Sequence, residues 1–489
     1  MLPIYTTPAI RKLEELAAPA SGTLMQRAGV AAAEYARSLC GDTAKSILVL
    51  AGPGNNGGDA FEVAAHLKRW FFRVSAVFSG ERDKLKEDAL AALEKWETAG
   101  GTLLREIPGE SRFDLAVDGL FGTGLARPLA GAHRALVQKL NALGAPILAL
   151  DVPSGLDADT GAIMGCAVRA SHTITFIAYK PGLLTLDGPD HCGELKLDTL
   201  GLDPAGLLEP EGMLLAADIL DRAIAPRPRN FHKGKAGSVG VLGGAVGMVG
   251  AAVIAGRAAL KCGAGRVYLG LLTPRSPYID DSQPELMLRK PAALLEKELV
   301  DVLVAGPGMG KADSARKLLR AALAGPVPVV LDADALNAIA GSRSLAASLA
   351  KRRAATIMTP HPAEAGRLLG VATAGAQADR VASARAIARR YRSLVVLKGN
   401  GSVIAEPDGK FWINSSGNPG MASAGMGDAL AGMIAALIAQ GAEPLQALLA
   451  GVYLHGAAAD ALVASGIGPA GITASEVIDR ARVLLNRRG

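Results

Sequence analysis

Residues 418–432 read NPGMASAGMGDALAG, a glycine-studded loop that runs into an apolar helix and carries one acid, Asp428, at the junction. Gly425 and Gly427 reach backbone angles closed to other residues, so successive N–H groups can face one anion, and the following helix adds the positive end of its dipole. Such a loop suits phosphate. A carboxylate beside that phosphate is placed to take the proton from a hydroxyl as it attacks phosphorus, the usual division of labour in phosphoryl transfer. Taken alone, GxGD is equally a tight turn with a helix-capping Asp, and the neighbouring motifs must decide between the two.

Those neighbours repeat one pattern. Apolar runs at 238–242, 300–305, 328–331, 356–358 and 394–397 each end in a polar loop: GGAVGMVGAA at 243–252, GPGMG at 306–310, DADALN at 332–337, TPHPAE at 359–364 and KGNGS at 398–402. A series of strand, loop and helix predicts a doubly wound sheet with every loop at a strand's carboxyl end. The Lys398 loop is a good phosphate cradle, since an ammonium and several backbone N–H groups converge on one anion, although no Walker motif is present.

The first half shows the same order. SILVLA at 46–51 opens into GPGNNGGD at 52–59, the run 113–117 ends in Asp118 and GLFGTGLARP at 119–128, and 146–150 ends in DVPSGLD at 151–157. In an open parallel sheet these three loops gather in one crevice. Gly52, Gly54 and Gly57 satisfy GxGxxG formally, but two asparagines and an aspartate within the loop offer side-chain oxygens, the ligands hard cations prefer. Asp151, a strand-end carboxylate, is the candidate for proton transfer, and a carboxylate so placed beside a cation could equally be structural. Residues 8–40 read as two helices carrying LMQRAG, and His172 lies in a strand pattern as a packed residue.

A chain of 489 residues suits two domains, with the boundary near residue 210 in the stretch from EPEG to APRPRN, giving 1–210 and 211–489. The formal charge of +6 comes from scattered Lys and Arg, and only 4% of residues are aromatic, which argues against nucleic acid and suits phosphorylated small substrates. Four cysteines without CxxC spacing point to a reduced, cytoplasmic setting, and no signal peptide is expected. The longest apolar helix candidate, 429–439, is about half of what a bilayer needs, so no membrane is expected.

Residues 418–432 resemble the anion-hole segment of the ribokinase-like superfamily in its NAD(P)H-hydrate dehydratase branch, with Met426 in place of the usual Thr, whose hydroxyl could donate to phosphate where a thioether cannot. HKGKAGSVGVLGG at 232–244 resembles the entry to that domain, and TPHPAE carries His361 and Glu364 where many ribokinase-like kinases show Asn-x-x-Glu. GPGNNGGDA, DGLFGTGLARP and DVPSGLD resemble the NAD(P)H-hydrate epimerase domain over roughly residues 1–210. The resemblance implies an α/β protein of two domains, an N-terminal Rossmann-like three-layer αβα sandwich and a C-terminal ribokinase-like doubly wound domain.

In the first domain it implies potassium held by Asn56, Asp118 and Ser154. The hydrated nicotinamide nucleotide would be contacted by Asn55, Asn56, Gly57, Gly58, Asp59, Gly122, Thr123, Gly124, Leu125, Ala126, Arg127, Pro128 and Asp151. In the second domain it implies hydrate contacts from Ala252, Gly308, His361 and Asp428. The adenine nucleotide would lie on Lys398, Gly399, Asn400, Gly401, Ser402 and Gly427, with Mg²⁺ bridging it. The expected activity is bifunctional: epimerisation of the R and S hydrates of NADH and NADPH, and dehydration of the S form coupled to conversion of ADP to AMP and phosphate, by a homo-oligomer. The rivals are a ribokinase-like small-molecule kinase fused to a Rossmann-like domain, and a nucleotide-sensing module without turnover.

Overall fold

The computed structural model describes residues 1–17, 23–41, 45–109, 112–224, 226–274, 280–296 and 298–487. Pro3–Gly212 forms one compact unit, and Met1–Leu2 with Met213–Gly489 forms the other.

In the first unit the apolar runs pair as a parallel sheet in the order Leu103–Leu104, Arg73–Phe78, Ser46–Ala51, Leu115–Gly119, Ile147–Leu150, His172–Phe176 and Glu194–Asp198. Strands buried on both faces read as continuous hydrophobic stretches, and Val49, Val117 and Leu148 are fully buried accordingly. The central strand runs to Gly119, so Asp118 is its penultimate residue and not the start of the loop, paired with Leu50 on one side and Ala149 on the other. The order reverses between Ser46–Ala51 and Leu115–Gly119, where such sheets bind ligands. Gly29 of LMQRAG allows helix Leu24–Cys40 to press on helix Asn55–Arg69: a Cβ there would fall 2.2 Å from Glu62 Cβ.

In the second unit Ser238–Gly243 lies centrally, with Arg266–Leu271 and Leu286–Leu288 to one side. To the other lie Val302–Ala305, Val329–Leu331, Thr356–Met358 and Leu394–Leu397, all parallel, followed by the antiparallel Ser402–Ala405 and Phe411–Asn414. Helix Met426–Ala439 is buried almost all round, and Gly432 lets it touch helix Val249–Lys261, since a Cβ there would meet Ala255 O at 2.1 Å.

Among the described residues the longest apolar helix is Pro444–Ala464, not the stretch 429–439. Its 21 residues and mean hydropathy of 1.5 would suffice to cross a bilayer, yet 67% of its most apolar window is buried inside the unit. It also carries Asp460, which accepts hydrogen bonds from Gly417 N at 2.8 Å and Asn418 Nδ2 at 2.9 Å, so it acts as a core helix that anchors the loop before Asp428. Gly451, His455 and Gly456 interrupt its hydrophobic run and conceal it in the sequence.

Candidate active sites

The turn after Ser46–Ala51 is shorter than the sequence suggests. Gly54 is an extended N-cap whose carbonyl accepts from Gly57 N at 3.0 Å and Gly58 N at 3.2 Å, so Asn55 to Asp59 form the first turn of a helix and not a loop. The glycines answer to sterics: a Cβ on Gly52 would lie 1.7 Å from Leu120 O, and one on Gly57 1.9 Å from Gly52 O.

Asn56 is buried with neither Oδ1 nor Nδ2 partnered. A Cβ on Gly122 would stand 3.3 Å from Asn56 Cγ and 3.4 Å from Asp151 Oδ2, so these three residues converge. Beside them Asp118, fully buried, accepts from Ser154 N at 2.8 Å, Ser154 Oγ at 2.7 Å and Leu120 N at 3.2 Å. Burial pushes its carboxyl up to about 6 against the pull of those hydrogen bonds.

Asp151 takes a left-handed φ of 64° and donates its N–H to Ile174 O at 2.7 Å. Its Oδ1 accepts from Lys180 Nζ, a buried ammonium that also donates to Thr175 Oγ1 at 2.9 Å and Phe176 O at 2.8 Å. All three ammonium protons are engaged, which leaves Oδ2 as the oxygen turned towards Gly122. Asp59, half-buried, is pushed well above the ordinary carboxyl range by burial and then by Asp151 and Glu14. Thr123, Gly124, Leu125, Ala126, Arg127 and Pro128 form a half-exposed to exposed stretch along the rim.

In the second unit Gly425, at φ 87°, caps helix Met426–Ala439 and sets Gly427 and Asp428 in its first turn. Met426 points into the core and presents no polar atom there. Lys398 Nζ donates to Asp332 Oδ1 at 2.8 Å, as does Thr359 Oγ1 at 2.7 Å. Burial opposes the Lys398 charge, but Asp332, Glu364 and Asp428 outweigh it and push the ammonium up. Asp428 is driven up to about 7, first by burial and then by Asp332, with Lys398 opposing. Glu364 is also raised to about 7, mainly by burial.

His361 closes a capping box: its Nδ1 accepts from Ala363 N at 3.1 Å, and Glu364 Oε2 accepts from His361 N at 2.8 Å. Burial and then Lys398 lower its imidazole, so at neutral pH it is uncharged with the proton on Nε2. Gly308, at φ 56°, sits under Met248, and Ala245 N donates to Gly308 O at 2.7 Å. Ala252 is completely buried, its methyl group against Gly243 and Gly244, so the expected hydrate contact from this residue does not lie on a surface here. Sequence reasoning passes over Asp332, Lys180 and Asp460. Asp332 carries the one usable signal, that of an acid immediately after an apolar strand.

A sequence profile described as NAD(P)H-hydrate dehydratase matches residues 239–480, and one described as YjeF-related protein N-terminus matches residues 21–182. The chain is 40% identical over 487 residues to the bifunctional NAD(P)H-hydrate repair enzyme Nnr of Escherichia coli K12, covering 98% of this chain and 93% of that one. It is 38% identical over 504 residues to Nnr of Coxiella burnetii, covering 99% and 100%. A solved ADP/ATP-dependent NAD(P)H-hydrate dehydratase from Bacillus subtilis, co-crystallised with ATP and Mg²⁺, is 31% identical with a TM-score of 0.50, covering 56% of this chain and 98% of that one. With both folds in one chain and such identity along nearly the whole of each relative, the chain belongs to the family of bifunctional NAD(P)H-hydrate repair enzymes.

Proposed function

We propose that this chain repairs hydrated nicotinamide coenzymes in the cytoplasm as a homo-oligomer. The domain 1–210 interconverts the R and S hydrates of NADH and NADPH, and the domain 211–489 removes water from the S hydrate with cleavage of ADP to AMP and phosphate. One observation carries the second activity: Asp428 in the first turn of a helix whose Gly427 closes over the Lys398–Asp332 pair.

Lys398, the backbone of the loop beyond Gly399 and the amide of Gly427 hold the phosphates. Asp428 takes the proton of the ring hydroxyl, and the freed oxygen attacks the terminal phosphorus of ADP, whose bond to the bridging oxygen breaks to leave AMP. The ring carbon–oxygen bond then breaks and expels phosphate, while the neighbouring ring carbon loses a proton and the double bond of the reduced coenzyme forms. Neutral His361, with the backbone at Gly308, orients the hydrate. Among the described residues no three His, Cys, Asp or Glu side chains gather as a metal cluster. Magnesium bound together with the nucleotide would supply neutralisation of phosphoryl charge beside Lys398.

In the first unit the unpartnered oxygen of Asn56, with Ser154 and the raised Asp118, fits potassium, a hard monovalent cation that would supply the missing positive charge. Asp151, through Oδ2, moves the proton during epimerisation. Incubating the full chain with purified mixed hydrates and ADP should restore the near-ultraviolet absorbance of reduced coenzyme with one AMP and one phosphate per hydrate. Accumulation of a phosphorylated alcohol in place of coenzyme would instead make the second domain a kinase.

A further inference from the structure

Arg380, the first residue of helix Arg380–Tyr391, is 1% exposed and lies behind the Lys398–Ser402 loop. Its Nη2 donates to the carbonyl oxygens of Leu397 at 3.1 Å, Lys398 at 3.3 Å and Gly401 at 3.4 Å, and its Nη1 to Gln377 Oε1 at 2.5 Å. Burial lowers the guanidinium to about 10, which leaves it charged at neutral pH. A buried charge is costly where an apolar side chain would fill the same volume, and what a guanidinium adds is the gathering of several carbonyls around one cation.

From this we propose that Arg380 is a positioning residue for nucleotide binding, which holds the loop 398–402 in the shape that presents its backbone and the Lys398 ammonium to phosphate. The inference rests on that loop being the nucleotide site. The N–H and C=O of a trans peptide point in opposite directions, so each carbonyl drawn back to the guanidinium turns its amide hydrogen the other way. The hydrogen of Gly399, thus turned, finds Ser402 Oγ at 3.2 Å and closes the loop on itself. Lys398 is fixed at both ends as well, its N–H donating to Pro360 O at 2.9 Å and its ammonium to Asp332. The glycine after Lys398 follows from the same contact: Gly399 has φ 144°, and a Cβ there would stand 2.9 Å from both Nη1 and Nη2. Arg380 itself does not reach the loop's outer face, so it acts through the loop and not on the reacting atoms.

Calorimetric titration of the full chain with AMP, together with the KM for ADP and for the hydrate, tests this. Arg380→Met should weaken AMP and raise the ADP KM about tenfold or more, the loss expected for hydrogen bonds made by a charged group. The hydrate KM and the epimerase rate should stay at the parent's values. Arg380→Lys, which keeps the charge but reaches fewer carbonyls, should fall between. Gly399→Ala should reproduce the defect from the loop side and decides the matter with Arg380→Lys should Arg380→Met not fold. Parent-like AMP affinity in the folded variants, or equal losses for ADP and hydrate, would overturn the assignment. Lys398→Met separates the two levels: if it binds AMP like the parent, the nucleotide site lies elsewhere and both readings fail together.

Discussion

Lys398 Nζ stands 2.8 Å from Asp332 Oδ1, and Gly427 covers the pair so closely that a Cβ there would come 3.0 Å from the ammonium and 3.3 Å from Asp332 Oδ2. Two strand-end loops and one helix N-terminus, distant in sequence, thereby share a single charge balance. Lys398→Met removes the cation and leaves Asp332 buried and unpaired. Because the lysine is partly exposed, the loss should be about 2 kcal/mol, below the range for fully buried pairs. Chemical denaturation should show it, with Asp332→Asn costing less, and dehydration should vanish in both.

The glycines at the two sites should respond differently to one added methyl group. At Gly52 the methyl meets the backbone oxygen of Leu120 at 1.7 Å, which cannot move without displacing a strand, so Gly52→Ala should unfold or severely destabilise the first unit. At Gly427 it meets only side-chain ends, Lys398 Nζ at 3.0 Å and Asp332 Oδ2 at 3.3 Å, which need give by only a few tenths of an ångström, so Gly427→Ala should fold with about 1 kcal/mol or less lost while the ADP KM rises. Thermal melts of the two variants, with ADP saturation curves for the second, provide the comparison.

Much of this arrangement is legible in the sequence for one reason: parallel strands covered on both faces read as unbroken apolar runs, and the polar loop that ends each run marks the ligand edge. Partnerships between loops are not legible. Lys180 follows Asp151 by 29 residues and Arg380 precedes Lys398 by 18, and only the crossing of the chain over the sheet brings each pair together. Boundaries fail where backbone pairing overrides side-chain character, as when Asp118 stays in its strand because both neighbours bond it, or when Asn55 to Asp59 enter a helix because Gly54 supplies the first acceptor.

Asp151→Ala should abolish epimerisation, after subtraction of the slow spontaneous rate, while dehydration of supplied S hydrate continues. Lys180→Met should retain part of the epimerase rate or none, since Oδ1 of Asp151 loses the donor that orients it. Exchange at the parent's rate in Asp151→Ala would remove that residue from the proton-transfer role. Chromatographic separation of the two epimers over time gives the measurement.

Potassium should stabilise the first unit, because the Asp118 carboxyl and the Asn56 amide are both buried and neither amide atom of Asn56 has a hydrogen-bond partner. Thermal midpoints measured in potassium and in lithium chloride at equal ionic strength should differ for the parent and coincide for Asp118→Asn. Equal midpoints for the parent in both salts would argue against a selective site.

Asp428 ties activity and stability to pH with opposite signs. As the base it must be ionised, so dehydration of the S hydrate should fall as pH drops through about 7, the value to which burial and Asp332 raise its carboxyl. The folded state therefore holds a proton that the unfolded chain has already released above about 4. A group raised in this way contributes stability that is fully present below its unfolded value and is lost as pH rises through about 7. Asp428→Asn keeps the shape of the neutral acid but has no charge to bury, so at pH about 8 it should be more stable than the parent by roughly 2 kcal/mol, a figure that allows for the carboxyl's partial exposure. Near pH about 4 the two proteins should converge, and at every pH the variant should fail to dehydrate. Denaturant midpoints for parent and variant across that interval make the comparison, and a difference that shrinks as pH rises would mean that the carboxylate is stabilised in place and is not the strained base that the reaction requires.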